Sequence, residues 1–479
     1  MQLNSNTDVT PAPGTPAGSS TRYRKGYLWG ISLVAALGGL LFGYDWVVIS
    51  GADLFYEKYF HLVSANEIGW AKSCALVGCL LGALLSGGLS DRLGRKRLLL
   101  ASAFLFAVSS VGTGMAGSYL VFVAWRIVGG AAIGLASNLS PMYIAEVAPA
   151  EIRGRLVSMN QLTIVIGIVM AQLANWLIAQ PVPSGATAAD ILNSWNGQHG
   201  WRWMFAATAA PSLLFLLGLL FVPESPRWLA RKGRLEPARA VLARIGGVDY
   251  ADQALREIEQ TVASETARVN FSELLAPRMR KLLWFGVVVA FLQQWCGINV
   301  IFYYAKDVFA AAGYQVSDIL LNIVIVGLAN LTFTFVAIAA VDRIGRRALM
   351  LVGWVGLAII YILLGASQVA GVRGVPLVVL VVAAIGCYAS TLAPVVWVVL
   401  SEIFPNRIRG AALAVAVCAL WTGCFTLTYS FPRLNAWLGA AGTYWLYAAI
   451  CIGGFFYMRA KLPETKGKTL ETIERELVD

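Results

Sequence analysis

Asp45 and Arg126 are the ionisable residues of this chain that are hardest to place in water, because each adjoins or interrupts a long uncharged run. A charged side chain in hydrocarbon costs ~2.5–3.5 kcal/mol on insertion scales, so an acid held there is functional by default. A carboxyl's hold on its proton depends on whether it is dry and whether a guanidinium stands beside it. If Arg126 approaches Asp45 in one conformation and leaves it in another, the acid takes up and releases a proton as the protein changes shape. That is what coupling an ion to a conformational cycle requires. The plainer alternative is a static buried ion pair.

A second set of residues suits hydroxyl-rich ligands. Amides both donate and accept hydrogen bonds, without the desolvation cost of a charge. Gln161, Gln293, Gln294, Asn299 and Asn330 all lie in apolar stretches. Gln293 and Gln294 point about 100° apart on a helix, so they reach different hydroxyls of one ring. Trp397 and Trp421 can stack on a C–H face, and Phe42, Tyr303 and Tyr304 are candidates for gating or closing such a pocket. Helix–helix hydrogen bonding is the ordinary role of a lone amide in a span, and an interfacial belt that of a tryptophan.

The elements that must position these residues follow from where charge is missing. Hydrophobic residues make up 58% of the 479 and charged residues 13%, about half the ~25% of a soluble protein. This excludes a disordered chain, a nucleic-acid-binding protein and an ordinary soluble enzyme; the net charge of +11 is scattered in short clusters and forms no patch. A membrane-crossing helix needs ~20 mostly apolar residues. Charge-free runs such as 98–125, 203–223, 282–305, 348–372 and 434–458, with three less clean segments beginning near Ile68, Val121 and Leu156, bring the expected number to twelve. Small residues such as Gly129 and Gly130 let such helices approach closely.

Of the 37 Lys and Arg, Lys58, Arg202, Lys306, Arg373 and Arg433 fall in loops on one side, Lys72 and Arg126 within spans, and all others on the opposite side. The positive-inside rule then makes both termini cytoplasmic. The Pro/Ser/Thr/Gly-rich start reads as a disordered tail without a signal peptide. All seven cysteines fall in spans and read as apolar filler, while His61 and His199 lack clustered partners, so no metal site and no cofactor are expected.

The chain repeats itself. Asp91-Arg92-Leu93-Gly94-Arg95 returns as Asp342-Arg343-Ile344-Gly345-Arg346, and Glu146 with Pro149, Arg153 and Gly154 returns as Glu402 with Pro405, Arg409 and Gly410. Two six-span halves of parallel topology result, a pattern of transporters that bind substrate between the halves. The expected organisation is a disordered tail over 1–25, a six-helix bundle over 26–222, a cytoplasmic helical linker over 223–281, a second bundle over 282–462 and a cytoplasmic tail over 463–479. In the linker, Ser225 and Pro226 start a helix. Ala238, Val241, Leu242 and Ile245 mark an amphipathic face, and Leu255, Ile258 and Val262 mark another. The linker is expected as a helical cap against the inner faces of both halves. Asp91, Arg95, Glu146, Arg153, Glu224, Asp342, Arg346, Glu402 and Arg409 stand at inner helix ends, where opposite charges can pair across the halves as a switchable latch.

These paired loops, with Pro223-Glu224-Ser225-Pro226-Arg227 and Gln293-Gln294-x-x-Gly297-x-Asn299, resemble the sugar porter family of the major facilitator superfamily over essentially the whole chain after Lys25. The resemblance implies an all-α membrane protein of twelve transmembrane helices, a monomer in the bacterial inner membrane, and no enzyme. It implies symport of a proton with a monosaccharide by alternating access. D-xylose is the first choice of sugar, with D-glucose, other monosaccharides or a polyol as alternatives. In the family, symporters carry an acid at the position of Asp45 and facilitators an amide. The resemblance also supports the sugar-binding roles of Gln161, Gln293, Gln294, Asn299 and Trp397. Where relatives usually carry amides around the tryptophan of the eleventh span, this chain has Leu420 and Cys424, so that wall has lost hydrogen-bond capacity. The competing readings are an uncoupled facilitator, sodium in place of the proton, and a drug:proton antiporter, for which a larger apolar cavity without the amides is expected.

Overall fold

The computed structural model describes residues 23–183, 185–264, 276–404 and 409–462. No strand occurs among them. The first half is built from α1 (Lys25–Tyr59), α2 (Ala65–Leu93), α3 (Arg95–Gly114), α4 (Tyr119–Val147), α5 (Ala150–Ile178) and a sixth apolar stretch, α6 (Asn196–Phe221). Three short helices follow: α7 (Pro226–Arg231), α8 (Leu235–Gly246) and α9 (Val248–Ser264). The second half comprises α10 (Pro277–Trp295), α11 (Ile298–Tyr303), α12 (Ala305–Ala311), α13 (Val316–Ile344), α14 (Arg346–Val369), α15 (Val375–Ser390), α16 (Leu392–Ile403) and α17 (Arg409–Lys461).

Among the described residues, eleven helices are long and apolar enough to cross a membrane, and the last of these runs 51 residues from Ala411 to Lys461. At 1.5 Å per residue that is about two and a half times the ~30 Å hydrocarbon thickness. Its helical geometry fails at Gly439 (φ 68°, ψ 173°), so it is two spans joined at a sharp turn. Twelve spans result.

The repeated loops fold alike. Gly94 (φ 97°) and Gly345 (φ 100°) occupy matching turns in a region that side chains with a Cβ rarely enter. Within the first half, α1 packs on α5 and α2 on α4; across the halves, α2 meets α17 and α5 meets α13. The α2–α4 contact is backbone to backbone. A Cβ on Gly130 would stand 1.9 Å from the Ala75 carbonyl oxygen, and one on Gly78 2.0 Å from that of Ile127. Such closeness recovers the packing that hydrocarbon does not otherwise drive.

The start of the linker matches its sequence. Ser225 accepts from the Trp228 amide at 3.2 Å, with Pro226 in the first turn, and Ala238, Val241, Leu242 and Ile245 are buried. Two of its described contacts run to the first half and to the residue that leads into it. Trp228 Nε1 donates to the Asp91 carbonyl at 3.1 Å, and the Arg24 amide donates to the Ile245 carbonyl at 2.8 Å. The 265–275 stretch and the tails 1–22 and 463–479 lie outside the described residues.

Candidate functional site

Helix α1 carries Asp45 midway along its length, and α4 carries Arg126 two turns from its start. Arg126 Nη1 donates to both carboxylate oxygens of Asp45, at 2.9 and 3.0 Å, and the residues are 2% and 5% exposed respectively. The guanidinium lies 5.3 Å from the Phe205 ring centroid. Its Nε is buried without a partner among the described residues, so the pair is dry but incompletely satisfied. A buried pair of this kind is held by mutual attraction against a large desolvation cost, and either member left alone becomes unstable as an ion. Adding or removing one proton therefore changes the energetics of the whole contact.

Phe42, one turn before Asp45, and Trp46, the residue after it, link this pair to the second half through aromatic contacts. Phe42 approaches Trp421 at 5.8 Å between centroids, and Trp46 approaches Phe302 at 5.3 Å and Tyr303 at 5.7 Å. The seventh span supplies the amides. It is interrupted at Gly297 (φ 87°) and again at Tyr304, so α10, α11 and α12 are three pieces of one crossing. Broken helices at mid-membrane expose backbone and side-chain polar groups to a cavity. Asn299 Nδ2 donates to Gln294 Oε1, Gln294 Nε2 to Gln293 Oε1 at 2.6 Å, and Gln293 Nε2 to the Tyr388 hydroxyl. The result is one continuous polar row across α11, α10 and α15. Cys424 Sγ sits 3.6 Å from Asn299 Nδ2, where sulfur is only a weak acceptor. Trp421 is buried, and its indole Nε1 has no partner among the described residues.

The other expected residues are placed less uniformly. Gln161 on α5 is half-buried, Asn330 on α13 is buried, and Trp397 on α16 is 42% exposed. Tyr304 is buried with its hydroxyl donating to the Thr428 carbonyl at 2.6 Å, which fixes it between α11 and α17. Gln172 was not singled out from the sequence. It stands three turns beyond Gln161 on the same helix face, buried, with Oε1 unpartnered among the described residues. Tyr388 carried no sequence signal either, being one of many tyrosines in apolar runs.

Asp45 and Arg126 are not the only buried charges. Lys72 on α2 is fully buried and donates to Asp53, two turns beyond Asp45 on α1; Lys306, expected in a loop, is largely buried and donates to Glu57. The signal for this cluster was present in the sequence. A lysine inside a span requires a partner, and Asp53 and Glu57 are spaced i, i+4 so that both face one side of α1.

At the opposite end, Arg95 is nearly buried. It donates to Glu146 Oε1 at 2.9 and 3.2 Å, to the Ser90 carbonyl at 3.0 Å and to Asp91 at 3.3 Å. Glu224 Oε1 accepts from the Arg95 and Lys96 amides at 2.9 and 3.0 Å, capping α3 where the helix dipole favours an anion. Arg346 pairs with Glu402 at 3.3 Å, the same contact in the second half. These described pairs each close within one half. Arg153 donates to the Ala148 carbonyl at 3.4 Å. The side chains of Asp342 and Arg409 lie outside the described residues.

The family described as "Sugar (and other) transporter" matches residues 31–477. The D-xylose-proton symporter of Escherichia coli (strain K12) is 40% identical, over 95% of this chain and 96% of its own. The arabinose-proton symporter of Bacillus subtilis (strain 168) is 36% identical, over 98% and 99%. Among solved structures, the xylose transporter of E. coli in a partially occluded inward-open conformation superposes with a TM-score of 0.82. It is 38% identical, covering 93% of this chain and 100% of that one.

Proposed function

Because this chain belongs to the sugar transporter family, we propose that it is a proton-coupled monosaccharide symporter working by alternating access, with D-xylose as the first candidate sugar. The observation that carries the reading is the buried Asp45–Arg126 contact, joined by aromatic rings to an uninterrupted row of amides. Protonation of Asp45 weakens its hold on Arg126; the sugar bridges the amides of the second half to the first, and the halves rock about the loaded pocket. The sugar's hydroxyls are read by Gln161, Gln293, Gln294, Asn299 and Asn330. Trp397 and Trp421 wall its apolar face, and Phe42, Tyr303 and Tyr304 close over it. Gln172 joins the hydroxyl-reading set, because an unpartnered buried amide oxygen has a desolvation cost that a ligand hydroxyl offsets.

In this reading the protein works as a monomer in the bacterial inner membrane, with both tails and the 223–281 linker on the cytoplasmic side. In the same reading the chain divides into a bundle over 26–222, the linker, a bundle over 282–462, and tails over 1–25 and 463–479. The charged loops form the inner latch, Arg95–Glu146 and Arg346–Glu402 each bracing one half so that the inner helix ends meet in register. Asp342, Arg409 and Arg153 belong to the same machinery through the repeat. Glu224 ties the latch to the linker by capping α3.

The test is uptake into proteoliposomes under an imposed pH gradient, scanned across pentoses, hexoses and polyols. Accumulation that follows the gradient is expected, with D-xylose among the accumulated sugars. Downhill uptake indifferent to the gradient would make the protein a facilitator, and drug efflux without any sugar uptake would make it an antiporter. Accumulation driven by a sodium gradient alone would reassign the coupling ion.

A further inference from the structure

Four buried ionisable side chains meet at the end of the bundle opposite the linker, and the coupling proposed above uses none of them. Asp53 and Glu57 lie one turn apart on α1, Lys72 on α2 and Lys306 on α12. Lys72 donates to Asp53, lies 3.7 Å from Glu57 Oε1 and 3.9 Å from Asp307 Oδ2, and stands 4.0 Å from the Tyr304 ring centroid. It also donates to the Tyr303 backbone carbonyl at 3.0 Å. Lys306 donates to Glu57. Side-chain exposure is 0% for Lys72 and Asp53, 8% for Glu57 and 15% for Lys306, against 41% for Asp307.

Of these contacts, Asp53–Lys72 lies within the first half, while Glu57–Lys306 and Lys72 to the Tyr303 carbonyl cross between the halves. The buried set is balanced, two acids against two lysines. Each ion is costly to dehydrate, and the cost is offset only when its partner is in place. The crossing pair therefore has two good arrangements, paired and dry or separated and wet, and an intermediate opening is penalised. Elements with two discrete arrangements behave as switches. Lys72 adds a connection inward. The carbonyl it holds belongs to the last residue of α11, where the backbone leaves the helix before α12, and the ring of that same Tyr303 packs on Trp46, the neighbour of Asp45.

We infer that Glu57–Lys306 is an ionic gate closing the pocket on the side opposite the paired loops, and that Lys72 is a positioning residue tying this closure to the aromatic wall beside Asp45. The inference takes from the transport reading only the reason for the halves to part. Its test reads conformation rather than uptake, so a chain that moves no sugar still returns an answer.

The experiment is hydrogen–deuterium exchange on the full chain in lipid nanodiscs at one fixed pH, following residues 298–311. Glu57→Gln and Lys306→Gln should each speed exchange there by about tenfold or more, while α3 stays unchanged. The double variant, Glu57→Gln with Lys306→Gln, should exchange within about threefold of the faster single variant, because both changes break the same contact. Lys72→Met should speed exchange around 303–305, and Lys72→Arg, which still donates, should recover it. Unchanged exchange in the single variants would overturn the gate, as would a double variant whose defect is the simple product of two singles. Lys72→Met indistinguishable from wild type, or failure of Lys72→Arg to recover protection, would overturn the positioning role. Lys306→Gln sits at the rim and carries the test if Glu57→Gln does not fold.

Discussion

At the scale of single residues, the chemistry reduces to one carboxylate whose neighbours decide its charge. Asp45 receives two hydrogen bonds from one nitrogen of Arg126, in a place where water does not compete. Asp45→Asn keeps the shape and removes the titration. It should abolish accumulation driven by a pH gradient while sparing counterflow exchange of labelled sugar, and surviving accumulation would show that the proton travels elsewhere. The pair was legible from sequence because few charges interrupt the runs that hold its members. The amides were legible for the same reason, since polar side chains in apolar runs are few. Their mutual order was not. The row Asn299–Gln294–Gln293–Tyr388 depends on the backbone breaking at Gly297 and on α15 presenting a hydroxyl, and neither fact is encoded in local spacing.

At the scale of elements, helix contacts here are set by what side chains are missing. Gly130 allows the Ala75 carbonyl to lie where a methyl group would be. Gly130→Ala should cost more than about 3 kcal/mol, beyond the usual range for overpacking, because the opposing atom is backbone and cannot rotate away. Thermal melting in detergent reads the effect, with Gly87→Ala, whose added Cβ meets nothing within 4 Å, as the unperturbed comparison. Span positions were readable from charge-free runs, and the linker's helices from their caps and periodicity. The Asp53–Lys72–Glu57–Lys306 cluster went unread, because one of its members was counted with loops. Contacts between helices far apart in sequence cannot be derived from a period of 3.6 residues.

At the scale of the whole molecule, two unlike closures lie at opposite ends. One is built on Glu57 and Lys306 across the halves. The other rests on Arg95–Glu146 and its repeat Arg346–Glu402 within them. Arg95→Ala strands Glu146, whose side chain is 10% exposed, at a cost of about 3–5 kcal/mol. Since the penalty falls on the inner helix ends and not on the pocket, turnover should drop at least about tenfold with KM changed by less than about threefold. Initial-rate uptake against sugar concentration checks this, and a KM effect larger than the turnover effect would contradict the assignment. The interlocked backbones of α2 and α4 carry one more implication. With Gly78 and Gly130 each seated against the opposite strand of carbonyls, neither helix has room to slide along the other. A pair of probes attached to these two rods should report one constant spacing at every stage of turnover, so the protein contains its own calibration bar for measuring whatever else travels.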